Sequence, residues 1–174
     1  QRVSQIVASP DRSAADRRND QRRKPEAMLA FIGLRPGMVA LDVSAGGGYT
    51  TELLARSIGP GGTVYGQSPP RPAARPAAPP VAPEGNSHPS TTSTSAASLP
   101  APPAPPAAPR TSAMALAERS QALRQAGTPT AAIVAVTQSF EDPVPVALAG
   151  AQLDLVTLMF NYHDLGHMGV DRDR

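Results

Sequence analysis

The sequence predicts an α/β domain: a doubly wound parallel sheet of about four strands, incomplete, and interrupted by a low-complexity insert. Three observations carry this prediction. Val39-Ala40-Leu41-Asp42-Val43 is a compact apolar run suited to a strand covered on both faces, and it ends in Ser44-Ala45-Gly46-Gly47-Gly48. An amphipathic stretch and a second short apolar run follow, completing a β, loop, α, β unit whose crossover rule makes the strands parallel. Beyond it, 14 of the chain's 21 prolines fall between Pro69 and Pro109 among Ala, Ser, Thr and Arg. Such a stretch cannot bury enough apolar surface to offset its ordering entropy and is expected to be disordered.

The elements follow in chain order. Residues 1–24 form a basic arm, with six Arg and one Lys set against Asp11, Asp16 and Asp20. The interleaved Asp residues favour a solvated, partly helical face with local ion pairs. Pro25 suits the first turn of a helix, Glu26 the positive end of its dipole, and Met28, Leu29 and Ile32 one face, with Gly33 as its stop. Arg35-Pro36-Gly37-Met38 reads as a turn and Val39–Val43 as the first strand. Thr50 to Ile58 carries Leu53, Leu54 and Ile58 at helical spacing and closes on Gly59-Pro60, before a second strand from Thr63 to Gly66.

The insert spans 68–112, so the domain divides into a first half at 25–67 and a continuation at 113–174. Ser112 reads as the N-cap of a helix to Ala126 that places Leu116 and Leu123 on its buried side. Thr130 to Thr137 is the third strand, Phe140 to Pro145 a loop, and Leu153 to Phe160 the fourth strand, which runs into Asn161-Tyr162-His163-Asp164.

Composition excludes several classes. With no cysteine there is no disulfide framework, thiolate metal site or cysteine nucleophile. No run of 18 apolar residues is present, so no membrane span is expected. A Gln at position 1 in place of Met fits a cleaved export signal or a boundary set elsewhere. The formal net charge is only +2; the basic arm is a candidate binder of nucleic acid or acidic lipid, against which its interleaved Asp residues argue.

A strand that ends in glycines and opens a helix brings bare backbone up to an electron-rich ligand. The spacing discriminates between ligands. A dinucleotide fingerprint requires a third glycine where Thr51 stands, and no Gly-Lys-Ser/Thr phosphate loop follows. Leu41-Asp42-Val43-Ser44-Ala45-Gly46-Gly47-Gly48 instead resembles the first motif of the class I S-adenosylmethionine (SAM) dependent methyltransferases, with Ser44 standing where that family usually has its first glycine. Arg22 through Met38, Gly62 through Gln67 and Leu153 through Gly169 are similar to a group of predicted bacterial methyltransferases, many with export signals.

That resemblance implies a Rossmann-like fold, SAM as cofactor and methyl transfer to an unknown acceptor. It implies a periplasmic or secreted location; without it the location is cytoplasmic. Gly46 and Gly48 would let backbone approach the methionyl portion of SAM, Asp42 would help hold its ammonium group, and Ser44 and Asn161 complete the cofactor set. Gln67 stands where the family has the acid that accepts from the ribose hydroxyls, and is otherwise an exposed strand end. Phe140 and Asp142 would meet adenine by stacking and by accepting from its amino group, or else are a core residue and a turn residue.

His163 and Asp164 are the candidates for removing the acceptor's proton, with a capping role as the alternative. A metal shared by His163, Asp164 and His167 would need all three on one helix face, and no metal is assigned. The resembled fold has three more strands after the fourth, so the fourth strand is left as an exposed apolar edge suited to oligomerisation. Two rival functions stand beside the enzyme: an inactive or truncated SAM-binding or structural module, and a surface binder acting through the arginine arm.

Overall fold

The computed structural model describes residues 2–70, 110–148, 150 and 152–171. The part of the expected insert at 71–109 lies outside the described residues.

Four strands pair in parallel in the order β3-β2-β1-β4, with β1 at Val39–Val43, β2 at Thr63–Ser68, β3 at Ala132–Thr137 and β4 at Leu155–Leu158. This is the α/β architecture, in Rossmann-like order, that the sequence predicts. The register aligns Val64, Ala40 and Leu155 in one row and Gly66, Asp42 and Thr157 in the next, on the same face of the sheet. The chain leaves β1 toward β2 on one side and returns later as β4 on the other. The β1/β4 junction is therefore the switch point at which open α/β sheets take ligands.

Helix α4 (Tyr49–Ile58) lies against that face and is buried along its whole length. Its leucines explain why. Leu53, Leu54 and Ile58 close on Ala40 and Val64 in the core, while α3 (Pro25–Ile32) adds Leu29, and Val3 and Ile6 of α1 (Arg2–Val7) pack from outside. Helix α5 (Ser112–Gln125) covers β2 and β3 from the same side through buried Leu116 and Leu123. Gly66 makes this approach possible, since a Cβ there would lie 2.5 Å from Leu116 Cδ1.

The second face carries less cover. Leu41 and Val43 at its centre are buried, but Val134 and Val156 on the two edge strands are 38 % and 55 % exposed. Helices α1, α3, α4 and α5 all lie on the first face. No helix among the described residues is long and apolar enough to cross a membrane.

Several expectations need adjustment. Strand β2 runs two residues beyond Gly66, so Gln67 and Ser68 belong to it and pair with Val136 and Thr137. Thr111, not Ser112, caps α5, its side chain accepting from the Met114 N–H at 3.1 Å. Strand β4 is only four residues long. A 3-10 turn at Val146–Leu148 and a short helix α6 at Tyr162–His167 stand where the sequence assigned no element.

The N-terminal segment departs furthest from the sequence picture. Helix α2 (Ala14–Arg23) is capped by Ser13, and its acids are not a solvated face. Asp16 and Arg12 are each only 4 % exposed. Asp11 pairs with Arg56, Asp16 with Arg119, and Asp20 with Arg12, so the segment is tied by charge to α4 and α5.

Candidate functional site at the end of the central strand

From β1 to α4 the backbone turns left-handed at alternate residues: Ser44 at φ +61°, Gly46 at +54° and Gly48 at +79°. The loop is anchored to β2, where the Ala45 N–H donates to the Gln67 carbonyl at 2.8 Å and the Ser44 N–H to Gln67 Oε1 at 2.9 Å. The Gly48 N–H donates back to Ala45 O at 2.8 Å.

The glycines then divide by what surrounds them. A Cβ on Gly46 would meet only Ser44 O, at 3.8 Å, and one on Gly47 would meet nothing within 4 Å. A Cβ on Gly48 would lie 2.7 Å from Leu116 Cδ2 and 2.8 Å from Arg119 Cδ. Gly48 therefore serves the packing of α5, while Gly46 and Gly47 present bare backbone to open space.

Asp42 lies one turn of chain below, 2 % exposed. Each of its carboxylate oxygens accepts from a threonine: Oδ2 from Thr51 of α4 at 2.6 Å and Oδ1 from Thr157 of β4 at 2.8 Å. Burial pushes its carboxyl above the usual carboxylate range, and the two hydroxyl donors only partly oppose this. Asp42 thus ties β1 to both neighbours beneath the loop.

Gln67 is neither an exposed strand end nor a free acceptor. It is fully buried, and while Oε1 takes the Ser44 N–H, Nε2 donates to Gln138 O at 2.7 Å and Ser139 O at 3.5 Å. One carboxamide therefore couples the glycine loop to the start of the loop that bears Phe140 and Asp142. In that loop Phe140 is half-buried, and Asp142 is exposed with its N–H on Ser139 Oγ at 3.2 Å, a local turn. Asn161 closes the ring from the β4 side, donating from Nδ2 to Ser44 Oγ at 2.8 Å.

Ser44, Gly46, Gln67 and Asn161 are thus brought to one place, with Asp42 below. His163 and Asp164 are not. They form a surface pair, Nε2 to Oδ1 at 3.1 Å, with side chains 76 % and 51 % exposed on α6. Among the described residues no group of three or more His, Cys, Asp or Glu could hold a metal, and His167 on α6 belongs to none.

No family model matches this chain, and no curated protein or solved structure matches it.

Two participants at the loop escape the sequence reading. Arg119 of α5 donates from Nε to the Gly47 carbonyl, pairs with both Asp16 oxygens at 2.7 and 3.0 Å, and bonds Glu52 of α4. It walls a cavity of about 580 Å³ that is shared by Gly46, Gly47, Ser13, Asp16 and Thr111. Arg23, at the end of α2, stands over Tyr49 and Phe160. Arg119 could have been flagged by its place three residues after Leu116 on the buried side of α5, but the partners of both arginines are set by tertiary packing that no local pattern encodes.

Proposed function

We propose that this chain binds SAM across Gly46 and Gly47 and acts as a SAM-dependent methyltransferase whose acceptor is unknown. The observation that carries the reading is the bare left-handed backbone at the tip of the central strand, beside the β1/β4 switch point. The resemblance of Leu41 to Gly48 to the family's first motif supports it. The loop passes the test of fit, since open space lies where a Cβ on Gly46 or Gly47 would stand. Asp42 and Gln67 are already engaged within the protein, so the loop backbone, Ser44 and Asn161 carry the contact in this reading, with Phe140 and Asp142 on the adenine side.

When bound, the donor supplies a methyl group on an electrophilic sulfonium, which leaves the protein to align the acceptor and, where it has a proton to lose, to remove it. His163 or Asp164 takes that proton only if an acceptor docks over α6.

Titration with S-adenosylhomocysteine tests it. At a hundredfold excess over the dissociation constant, binding stabilises by about 2.7 kcal/mol, a readily measured rise in Tm, and Gly46→Arg abolishes that rise. A folded sample that shows neither heat nor a Tm change ends the reading.

A second reading, a SAM-binding module without turnover, is favoured by the consumed carboxamide of Gln67 and the exposed His163. Binding without transfer of labelled methyl to any acceptor separates it from the enzyme.

A further inference from the structure

Three residues other than glycine hold a left-handed backbone among the described residues: Lys24 at φ +47°, Ser44 at +61° and Phe160 at +71°. Two of the three adjoin one side chain, and the third is linked to it through a neighbour. Lys24 follows Arg23 directly, Phe160 lies under its guanidinium, and Ser44 is bonded to Asn161, the neighbour of Phe160. Backbone strain of this kind gathers where the surrounding structure holds a working geometry.

Arg23 Cζ is 4.9 Å from the centroid of Tyr49 and 4.7 Å from that of Phe160. Rings engage the faces of a guanidinium and leave its N–H donors, which lie in the plane, free to serve an acceptor. Those donors have none. Arg12, Arg56 and Arg119 each hold a carboxylate, whereas Arg23 has neither an ion pair nor a hydrogen bond to any described residue, and its Nε is shielded from solvent without a partner.

The nearby acids do not fill the role. Asp20 serves Arg12 and the Tyr49 hydroxyl, and both oxygens of Asp42 serve threonines. Asp42 is buried and both of its oxygens are taken by hydroxyl donors, so it offers Arg23 no hydrogen-bonded partner. Phe160 is 47 % exposed, so a solute can reach the place.

We propose that Arg23 is a receptor for a ligand carboxylate at the carboxyl ends of β1 and β4, held in position by Tyr49 and Phe160. Planar two-point recognition of a carboxylate is what a guanidinium with free in-plane donors does best. The carboxylate comes from the methyl donor's amino-acid end or from the acceptor, and the first source alone rests on the methyl-donor reading.

NMR on the whole chain tests this through the Arg23 Nε–H resonance, assigned by its loss in Arg23→Lys. Malonate is the probe for the carboxylate alone. A saturable shift at Arg23, with Arg12, Arg56 and Arg119 unmoved, supports the site. If neither malonate nor S-adenosylhomocysteine moves the resonance, the proposal is overturned, even when the nucleoside binds elsewhere.

The source is read from methylthioadenosine, which lacks the amino-acid end. Should S-adenosylhomocysteine move Arg23 and bind at least about tenfold more tightly than methylthioadenosine, with Arg23→Gln erasing the difference, the carboxylate is the donor's. Should both nucleosides bind equally while malonate still moves Arg23 in their complexes, it is the acceptor's. A malonate response with no binding of either nucleoside keeps the Arg23 site and removes the methyl-donor reading.

Discussion

Ser44 holds a left-handed turn that glycine adopts freely and that costs a side-chain-bearing residue about 1–2 kcal/mol. The hydrogen bond that its hydroxyl accepts from Asn161 offsets part of this. Ser44→Gly and Ser44→Ala both lose that bond, but only alanine keeps the strain. The alanine variant is therefore expected to be less stable than the glycine variant by about 1 kcal/mol in urea denaturation, and equal stabilities would refute the strain argument.

The glycines and Ser44 were legible as a loop because their order after an apolar run is local information. The fate of Gln67 was not. Its burial depends on β2 continuing for two residues and on backbone acceptors 71 and 72 residues away, neither of which a pattern in the chain encodes. The same holds for Asp42, whose threonine partners lie on α4 and on β4, 115 residues away in the latter case.

Between elements, the decisive side chain is Arg119. It joins α5 to α2 through Asp16, to α4 through Glu52 and to the loop through the Gly47 carbonyl. Asp16 is 4 % exposed and Arg119 is its ion-pair partner, so removing that cation strands a buried carboxylate, while Glu52 keeps its pair with Arg56. Arg119→Ala is expected to cost about 3–5 kcal/mol in chemical denaturation. Arg119→Lys restores only part, since one ammonium cannot span three acceptors as the planar fork does. A loss below about 1 kcal/mol in the alanine variant would show that the clamp is dispensable.

Element boundaries set by strong local signals, β1 and α3 above all, could be read from the sequence, because a bare apolar run and a Pro-to-Gly frame mark their own ends. Helix α2 has a local N-cap in Ser13 but no apolar period, and α6 has neither a side-chain cap nor length. The first owes its place to ion pairs with distant elements, and the second is too short to show a period.

For the molecule as a whole, the N-terminal ion pairs tie stability to pH. The hydrogen bonds from Arg56 hold Asp11 well below the usual carboxylate range. Asp16 and Asp20 are pushed up by burial, but Arg119 and Arg12 respectively outweigh it and leave both depressed. A depressed folded-state pKa gives stability that is present above the unfolded value, near 4, and is lost as pH falls through the folded one. Asp42 acts in the opposite sense, since its raised pKa makes acid favourable to the fold, but it is one group against three. Urea midpoints are therefore expected to fall steadily from pH 5 to pH 2, and a flat profile would mean that these pairs contribute nothing net.

The ladder between β2 and β3 joins Thr63–Ser68 to Ala132–Thr137, so strands on either side of residues 71–109 pair directly with each other. The peptide bonds of that segment are then not what keeps the two halves associated. If a protease site is engineered between Arg71 and Pro109 and cut, the nicked halves should migrate as one species on a native gel and separate only in detergent, as a complementing pair of fragments does.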